Sequence, residues 1–498
     1  KQRSDTGENI PLLADSLAPS NPTLGIMLPY APIQLLLFDY DDGLSMPDAL
    51  VMTSGNASGA PICRTDEDAL SEIAHYTDLI LSNNRTIRLR CDDTVTDFFE
   101  GKPYMIRRSR GFAPLPFMIS GKRKGSVLGI GGELKNTFCI AKDNLLYPSA
   151  YIGDMEDIRS VEALKQSVTR METLLETSPT AVVCDLHPKY HTTEVAETLG
   201  LPVYKIQHHY AHILSCMAEN NYLDPVIGVS FDGTGYGTDG TIWGGEVLKC
   251  NLHGFERLSH ISPFLQSGGD LSAKEGWRIA VSILRDPTDK GSADEAYDPG
   301  REYAARLHLC TPVEYDMVRN MAERGINTVT STSAGRIFDA ASALLGIRKC
   351  STFEGEASTA LMFAAEQYLE ETSGDALLRD IPLLSDDELL TAENNADTNT
   401  LIVRLAERML EGEDRNRLAY AFHKTLSEMI LRQCLFANKK TGIKTVALSG
   451  GVFQNILLLT LTKKVLTERG FTVLHHSLIP PNDGGISLGQ ALYGLYNI

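Results

Sequence analysis

Apolar positions along this chain come in short runs broken by glycine- and proline-bearing turns, a pattern that predicts an α/β protein. In the first part, the runs 33–38 and 50–53 read as strands and residues 67–76 as a helix. The sequence turns basic at Met105-Ile106-Arg107-Arg108-Ser109-Arg110-Gly111, and Pro114, Pro116 and Gly121-Lys122-Arg123-Lys124-Gly125 then read as a linker. From residue 126 the pattern restarts. A strand at 127–130, a Gly-Gly turn and a strand at 137–142 are echoed by a strand at 226–231, a glycine-rich turn over 232–240 and a strand at 242–248. A further strand at 445–448 ends in Ser449-Gly450-Gly451 and opens a helix. Two such hairpins and a strand-Gly-Gly-helix unit predict a two-lobed α/β fold with a duplicated sheet. The acidic stretches 286–300 and 380–400 read as surface loops or insertions.

Composition narrows the function classes. The 498 residues suggest about three domains, or two large ones. With 43% hydrophobic and 22% charged residues the chain is neither disordered nor fibrous. A formal charge of −18 argues against a nucleic-acid partner, yet leaves room for a basic pocket that takes one anionic ligand. The longest apolar stretches, such as 35–38, fall far short of the ~18 residues of a membrane span. Lys1-Gln2-Arg3-Ser4-Asp5 lacks a signal-peptide core, so a cytoplasmic protein without a membrane partner is expected. Nine widely spaced cysteines with no C-x-x-C pair read as reduced, structural thiols. The chain starts without methionine and reads as a fragment lacking upstream sequence.

Three constellations carry candidate chemistry. In Gln207-His208-His209-Tyr210-Ala211-His212, His208 and His212 are four apart. On a helix both imidazoles share one face and can bind one metal or a phosphate. No Glu follows the first His, so this is not a zinc-protease motif; Asp232 and Asp483, both in glycine-rich turns, are candidate completing carboxylates. The turns form the second set. Gly233 and Gly235 in Asp232-Gly233-Thr234-Gly235-Tyr236-Gly237 leave amides free for phosphate, and Gly450, Gly451 and Asn455 lie at a helix start that favours anions. Gly131-Gly132-Glu133-Leu134-Lys135-Asn136 adds a cation, and no Walker A or G-x-G-x-x-G motif is present, so the three turns point to a nucleotide cleft of another kind. The third set is Thr53-Ser54-Gly55-Asn56-Ala57-Ser58-Gly59 with Arg85, Arg88, Arg90, Arg107, Arg108 and Arg110. Six arginines within 26 residues of an acidic chain favour an anion pocket over a solvated basic face. On an extended segment Arg108 and Arg110 share one side.

The run Val51-Met52-Thr53-Ser54-Gly55-Asn56-Ala57-Ser58-Gly59, with Cys91-Asp92-Asp93-Thr94-Val95 and Ile106-Arg107-Arg108-Ser109-Arg110-Gly111, resembles the YrdC-like domain of the HypF family. These are carbamoyltransferases of nickel–iron hydrogenase maturation. The remainder resembles their TsaD-like domain, of the actin and sugar-kinase class, through 132–138, Asp185-Leu186-His187-Pro188, 208–212 and 232–245. The likeness continues in Gly268-Gly269-Asp270, Gly335-Arg336-Ile337-Phe338-Asp339, Phe353-Glu354-Gly355-Glu356, 449–455 and Asp483-Gly484-Gly485. It implies a YrdC-like domain at 1–120, truncated at its N-terminus, and a two-lobed TsaD-like domain at 126–498.

The resemblance further implies an ATP-dependent enzyme that forms carbamoyl-adenylate from carbamoyl phosphate and ATP with Mg2+. The carbamoyl group then passes to the C-terminal cysteine of a HypE-type partner, for the cyanide ligands of the hydrogenase. It implies that His208, His212, Asp232 and Asp483 hold a divalent metal, iron or zinc, with Lys135 in the first phosphate turn. Asp339, Gly355 and Asn455 match nucleotide-contacting positions, and Ser54, Asn56, Arg85, Arg90, Arg107, Arg108 and Arg110 lie in motifs of the YrdC-like pocket. The family's acylphosphatase-like and zinc modules are not in this sequence, Lys1 and Arg3 do not form its early Lys/Arg motif, and Tyr210 stands where a histidine is expected. Rival readings are weaker. Domain order opposes a small-molecule O-carbamoyltransferase, net charge opposes tRNA threonylcarbamoylation, and the His-x-x-x-His pair opposes a non-catalytic ATP-binding scaffold.

Overall fold

Two sheets of one connectivity underlie the repeated hairpins read from the sequence. In the computed structural model the described residues are 14, 16–121, 123–284, 298–372 and 383–498. Lys1, Arg3, Lys122 and the expected loops at 286–297 and 380–382 lie outside them. The chain divides into two compact units, Lys1–Gly55 and Asn56–Ile498.

In the first unit the expected strand at 33–38 is a helix, Pro32–Phe38, and 50–53 has no regular structure. Pro32 occupies the first helical turn, where its missing N–H costs nothing, and Gln34 Oε1 accepts from the amides of Tyr30 (2.9 Å) and Ala31 (3.0 Å). No strand pairs with this segment among the described residues, so these local bonds decide its form.

In the second unit, Ser126–Gly129, Cys139–Lys142 and Leu145–Pro148 form an antiparallel meander. Val182–Asp185 then pairs parallel to the first strand, and Val203–Ile206 parallel to that. The second sheet repeats this: Val226–Tyr236, Ile242–Asn251 and Gly254–His260 form the meander, and Thr445–Ser449 and Thr472–Leu474 add in parallel. Each lobe therefore contains the strand order third, second, first, fourth, fifth, which is the duplication the sequence predicts; Phe117–Met118 pairs onto the first sheet, and Thr328–Ser331 and Phe264–Ser267 join the second beside Ile242–Asn251. Val182–Asp185 and Thr445–Ser449 are buried throughout, as strands covered on both faces must be. Helices His208–Glu219 and Ile486–Asn497 pack against each other at Gly489, where a Cβ would lie 2.0 Å from the Ala211 carbonyl oxygen.

Two expectations need correction. The strand from Val226 does not stop at Phe231 but continues to Tyr236, with Gly235 opposite Trp243 and Tyr236 opposite Ile242. The turn is confined to 237–241, closed by Gly237 N–H on Thr241 O (2.9 Å), so Gly235 lies in the paired strand and not in the turn. The stretch 383–400 is no surface loop either: Leu383, Leu384, Leu389 and Ala396 enter the core, and helix Thr398–Leu410 begins there.

The antiparallel hairpin Val95–Phe99/Lys102–Arg107 joins the second lobe. Phe99 and Tyr104 share a core with Ile227, Val229 and Phe231, and the Tyr104 hydroxyl donates to Phe453 O (2.9 Å). Cys139, Cys184, Cys216, Cys250 and Cys434 are buried and Cys350 is exposed, with no disulfide among the described residues. No described helix is long and apolar enough to cross a membrane.

Candidate metal centre and adjoining cleft

Helix His208–Glu219 starts where Gln207 caps it, the Gln207 side chain accepting from Tyr210 N–H (3.0 Å). One turn separates His208 from His212, which brings their rings to 4.9 Å. Asp232 arrives from strand Val226–Tyr236 and Asp483 from the turn before helix Ile486–Asn497. One donor atom from each of the four lies within 4.8 Å of the others. His208 Nε2 is 3.2 Å from Asp232 Oδ2 and 3.7 Å from Asp483 Oδ1; His212 Nε2 is 3.6 and 3.7 Å from the same atoms. Tyr210 points elsewhere, its hydroxyl donating to Asn251 O (2.7 Å).

The electrostatics suit a cation. Burial opposes charge on His208, but Asp185 and Asp483 outweigh it and raise its pKa well above the ordinary imidazole range. Burial likewise opposes charge on His212, and Asp232 and Asp483 raise it. Burial pushes the carboxyls up, yet the imidazoles hold Asp232 well below the carboxylate range and Asp483 at about 2. His212 Nε2 is buried with no hydrogen-bond partner. Two imidazoles and two carboxylates with an orphaned nitrogen fit a divalent cation such as zinc or iron.

Several surrounding residues carry no role in the sequence reading. Asp185 Oδ2 lies 2.8 Å from His208 Nδ1, which turns Nε2 toward the carboxylates. His209 backs onto Gly235, where a Cβ would meet the His209 ring at 2.4 Å, so this glycine admits the histidine helix. Burial, with His208 beside it, keeps His209 neutral.

A cleft of about 190 Å3 opens beside the group. Lys135, Gly233, Gly355, Gly451 and Asn455 line it with Asp232 and Asp483, whereas Gly235, Gly450 and Asp339 lie outside its lining. Gly450, at φ 99, packs its Cα against the Phe231 backbone. Asp339 is buried behind Arg336 and accepts from its Nε (2.7 Å), so Arg336 is the group presented to the cleft. Gly451 N–H donates to Asp232 Oδ1 (2.9 Å), tying the second phosphate-type turn to the metal group. Asn455 Oδ1 caps helix Ile456–Glu468 through Leu458 N–H (2.9 Å). Lys135 pairs with Glu354; burial opposes its charge, and Glu354 and Asp483 more than restore it.

The arginines expected to form one pocket are turned to separate partners. Arg108 is 4% exposed and donates to the carbonyls of Phe112 (2.7 Å), Leu115 (2.8 Å) and Pro148 (3.3 Å). Arg110 is exposed, donates to Cys91 O (2.8 Å) and pairs with Asp93. The strand ends at Arg107, so the alternation that would set Arg108 and Arg110 on one side does not extend to them. Arg107 faces Asp92 at 3.7 Å, Arg90 donates to Ile62 O (2.7 Å), and Arg85 is exposed. Asn56 donates to Ala57 O and Ala60 O while its Oδ1 is buried without a partner; Ser54, in the first unit, is exposed.

Known families match in three blocks. The family described as "Telomere recombination" covers residues 6–109 and "HypF Kae1-like domain" covers 122–219. "Carbamoyltransferase, Kae1-like Domain, second subdomain" covers 228–490, more than half of the chain. The chain belongs to the HypF carbamoyltransferase family. Carbamoyltransferase HypF of Synechocystis sp. is 36% identical over 493 residues, covering 97% of this chain and 61% of that protein. The "Carbamoyltransferase HypF homolog" of Cupriavidus necator is 34% identical over 378 residues, 75% of this chain and 92% of its own length. A crystal structure of full-length HypF in the phosphate- and nucleotide-bound form superposes with a TM-score of 0.86 at 37% identity, over 97% of this chain and 72% of that one. The chain spans about 60% of the length of the HypF proteins from Synechocystis and Methanocaldococcus jannaschii. The HypF likeness fits the mixed α/β fold and its two matched lobes.

Proposed function

We propose that this chain forms carbamoyl-adenylate from carbamoyl phosphate and ATP and transfers the carbamoyl group to the C-terminal cysteine of a HypE-type partner. Residues 1–120 would be the YrdC-like part and 126–498 the TsaD-like part, acting in the cytoplasm. The observation that carries this reading is Asp232: one oxygen faces both imidazoles and the other holds the Gly451 amide at the cleft wall. A ligand in the cleft thus meets the metal group and the glycine turn through one side chain.

The residues divide the work. Lys135 and Arg336 supply positive charge for phosphates, and the amides around Gly451 and Gly355 supply neutral donors at helix starts. A divalent metal, with His208, His212, Asp232 and Asp483 as its ligands, would polarise the carbamoyl oxygen as a Lewis acid. Asp185 and Gln207 fix the histidines, and the buried helix keeps water away from the reacting acyl group.

The test is product analysis with ATP, Mg2+, carbamoyl phosphate or preformed carbamoyl-adenylate, and a peptide ending in cysteine. Carbamoylated peptide is expected from the wild-type chain. The His208→Ala, His212→Ala double variant should lose transfer and bound metal while keeping its helical circular dichroism, since Ala is well tolerated in a helix. Wild-type transfer by that variant would overturn the reading.

A further inference from the structure

A second histidine array joins the elements that carry the metal group. The Ser449 hydroxyl is 2.8 Å from His476 Nε2, and His476 Nδ1 is 2.7 Å from Glu219 Oε2. Ser449 and His476 are 0% and 1% exposed. Glu219 Oε1 accepts from the amides of Ser477 (2.9 Å), Leu478 (2.5 Å) and Ile479 (3.2 Å). Serine, histidine and carboxylate in that order form the constellation of a nucleophilic triad. Here it does not act as one, because the Ser449 hydroxyl is fully buried outside the lining of the cleft, where no substrate meets it.

Each member sits on an element of the site. Glu219 ends the helix that His208 begins and His212 shares. Ser449 ends strand Thr445–Ser449, and in the turn that follows the Gly451 N–H donates to Asp232 Oδ1 (2.9 Å). His476 lies between strand Thr472–Leu474 and Asp483, and Gly450 N–H donates to Pro481 O (3.0 Å) on the same segment. These bonds close a circuit. It runs from the histidine helix through Glu219, His476 and Ser449 to the glycine turn. From there Gly451 holds Asp232, whose Oδ2 returns to His208 Nε2 (3.2 Å) and His212 Nε2 (3.6 Å). A buried polar network with every link paired holds one geometry, since any other leaves a buried donor or acceptor unpaired.

We infer that His476 is a positioning residue of the metal centre, acting through Ser449 and the glycine turn on Asp232. The inference rests on the reading of His208, His212, Asp232 and Asp483 as metal ligands. The Glu219 carboxylate accepts from Nδ1–H and so selects the tautomer whose Nε2 accepts from the Ser449 O–H. That bond pins the end of the strand, and the turn then presents the Gly451 amide to Asp232 Oδ1. Oδ2 is left for the cation that the two imidazoles share.

The experiment measures zinc affinity of the full chain by competition with a chelator, and loads it with Co2+, whose visible absorption reports ligand geometry. Two variants cut one hydrogen bond from opposite ends. Ser449→Ala removes the hydroxyl, and His476→Asn keeps an amide for Glu219 but no longer reaches Ser449. Each should weaken zinc binding by about tenfold, the lower end of what partners behind the ligands contribute, and shift the Co2+ bands. The double variant should lose no more than the worse single, because both remove the same link. Ser449→Cys keeps a weak donor and should recover part of the affinity. Wild-type zinc affinity and unchanged bands in a variant that is merely less stable in urea would overturn the inference. So would losses that add in the double variant, or a Ser449→Ala chain that fails to fold, since the array would then serve the fold alone. A wild-type chain that takes up neither zinc nor cobalt would instead overturn the metal reading itself.

Discussion

Asp185 Oδ2 lies 2.8 Å from His208 Nδ1, and both side chains are buried, at 1% and 0% exposure. The carboxylate accepts from Nδ1–H and leaves Nε2 to face Asp232 and Asp483. Outer partners of this kind typically account for 10–100-fold in metal affinity. Asp185→Asn should therefore weaken zinc binding by about that factor without unfolding the chain, which a competitive chelator titration measures. Unchanged affinity would mean that backbone packing alone orients His208.

His423 is fully buried; Nδ1 donates to Ala419 O (2.7 Å) and Nε2 accepts from the Asn455 amide (2.8 Å). Burial pushes its pKa from the ordinary 6.5 down to about 4. Between those values the unfolded chain binds a proton that the folded chain refuses, so stability falls as pH falls. The loss is absent above 6.5 and complete below 4, at most about 3 kcal/mol. His423→Gln keeps a donor and an acceptor but does not titrate. Urea unfolding at pH 7 and pH 4.5 should show the variant gaining on wild type as pH drops; a pH-independent difference would contradict this.

Arg108 should matter for stability more than for chemistry. Burial lowers its pKa to about 10, and its guanidinium satisfies three carbonyls. Hydrogen bonds to a charged group are worth about 1.5–3 kcal/mol. Arg108→Ala should cost about 3 kcal/mol or more by chemical denaturation, while exposed Arg110→Ala should cost about 1 kcal/mol or less. Similar losses for the two would indicate that Arg108 is not the anchor described.

Lys135 pairs with Glu354 at the cleft, so under the proposed function a nucleotide's phosphates would compete with that carboxylate. Calorimetric titration with ATP and Mg2+ should show Lys135→Ala binding about ten- to a hundredfold more weakly. Glu354→Gln, which frees the ammonium, should bind at least as tightly as wild type. Weaker binding by Glu354→Gln would place Glu354 among the groups that recognise the nucleotide.

Much of the metal group is legible without coordinates. The four-residue spacing of His208 and His212 survives into structure because a helix repeats every turn, and the capping Gln207 is local as well. The duplicated sheet is readable for the same reason, since hairpins bring neighbours in sequence together. The expected strand at 33–38 failed where Pro32 suited a helix start, Gln34 offered local bonds and no partner strand was present among the described residues. The turn at 232–240 failed because pairing with Trp243 and Ile242 carried the strand through two glycines.

What the sequence by itself determined, then, is whatever depends on spacing along the chain: the histidine pair, the repeated hairpins and the glycine turn at Asp483. Only the tertiary structure decided which far-separated groups meet. It set Asp185 behind His208 from 23 residues away, put Arg336 and not Asp339 on the cleft, buried Arg108 among carbonyls, and closed His476 between Glu219 and Ser449. Periodicity is a property of neighbours, whereas burial and hydrogen-bond partnership depend on which elements pack together. A side chain's charge and role follow from that packing.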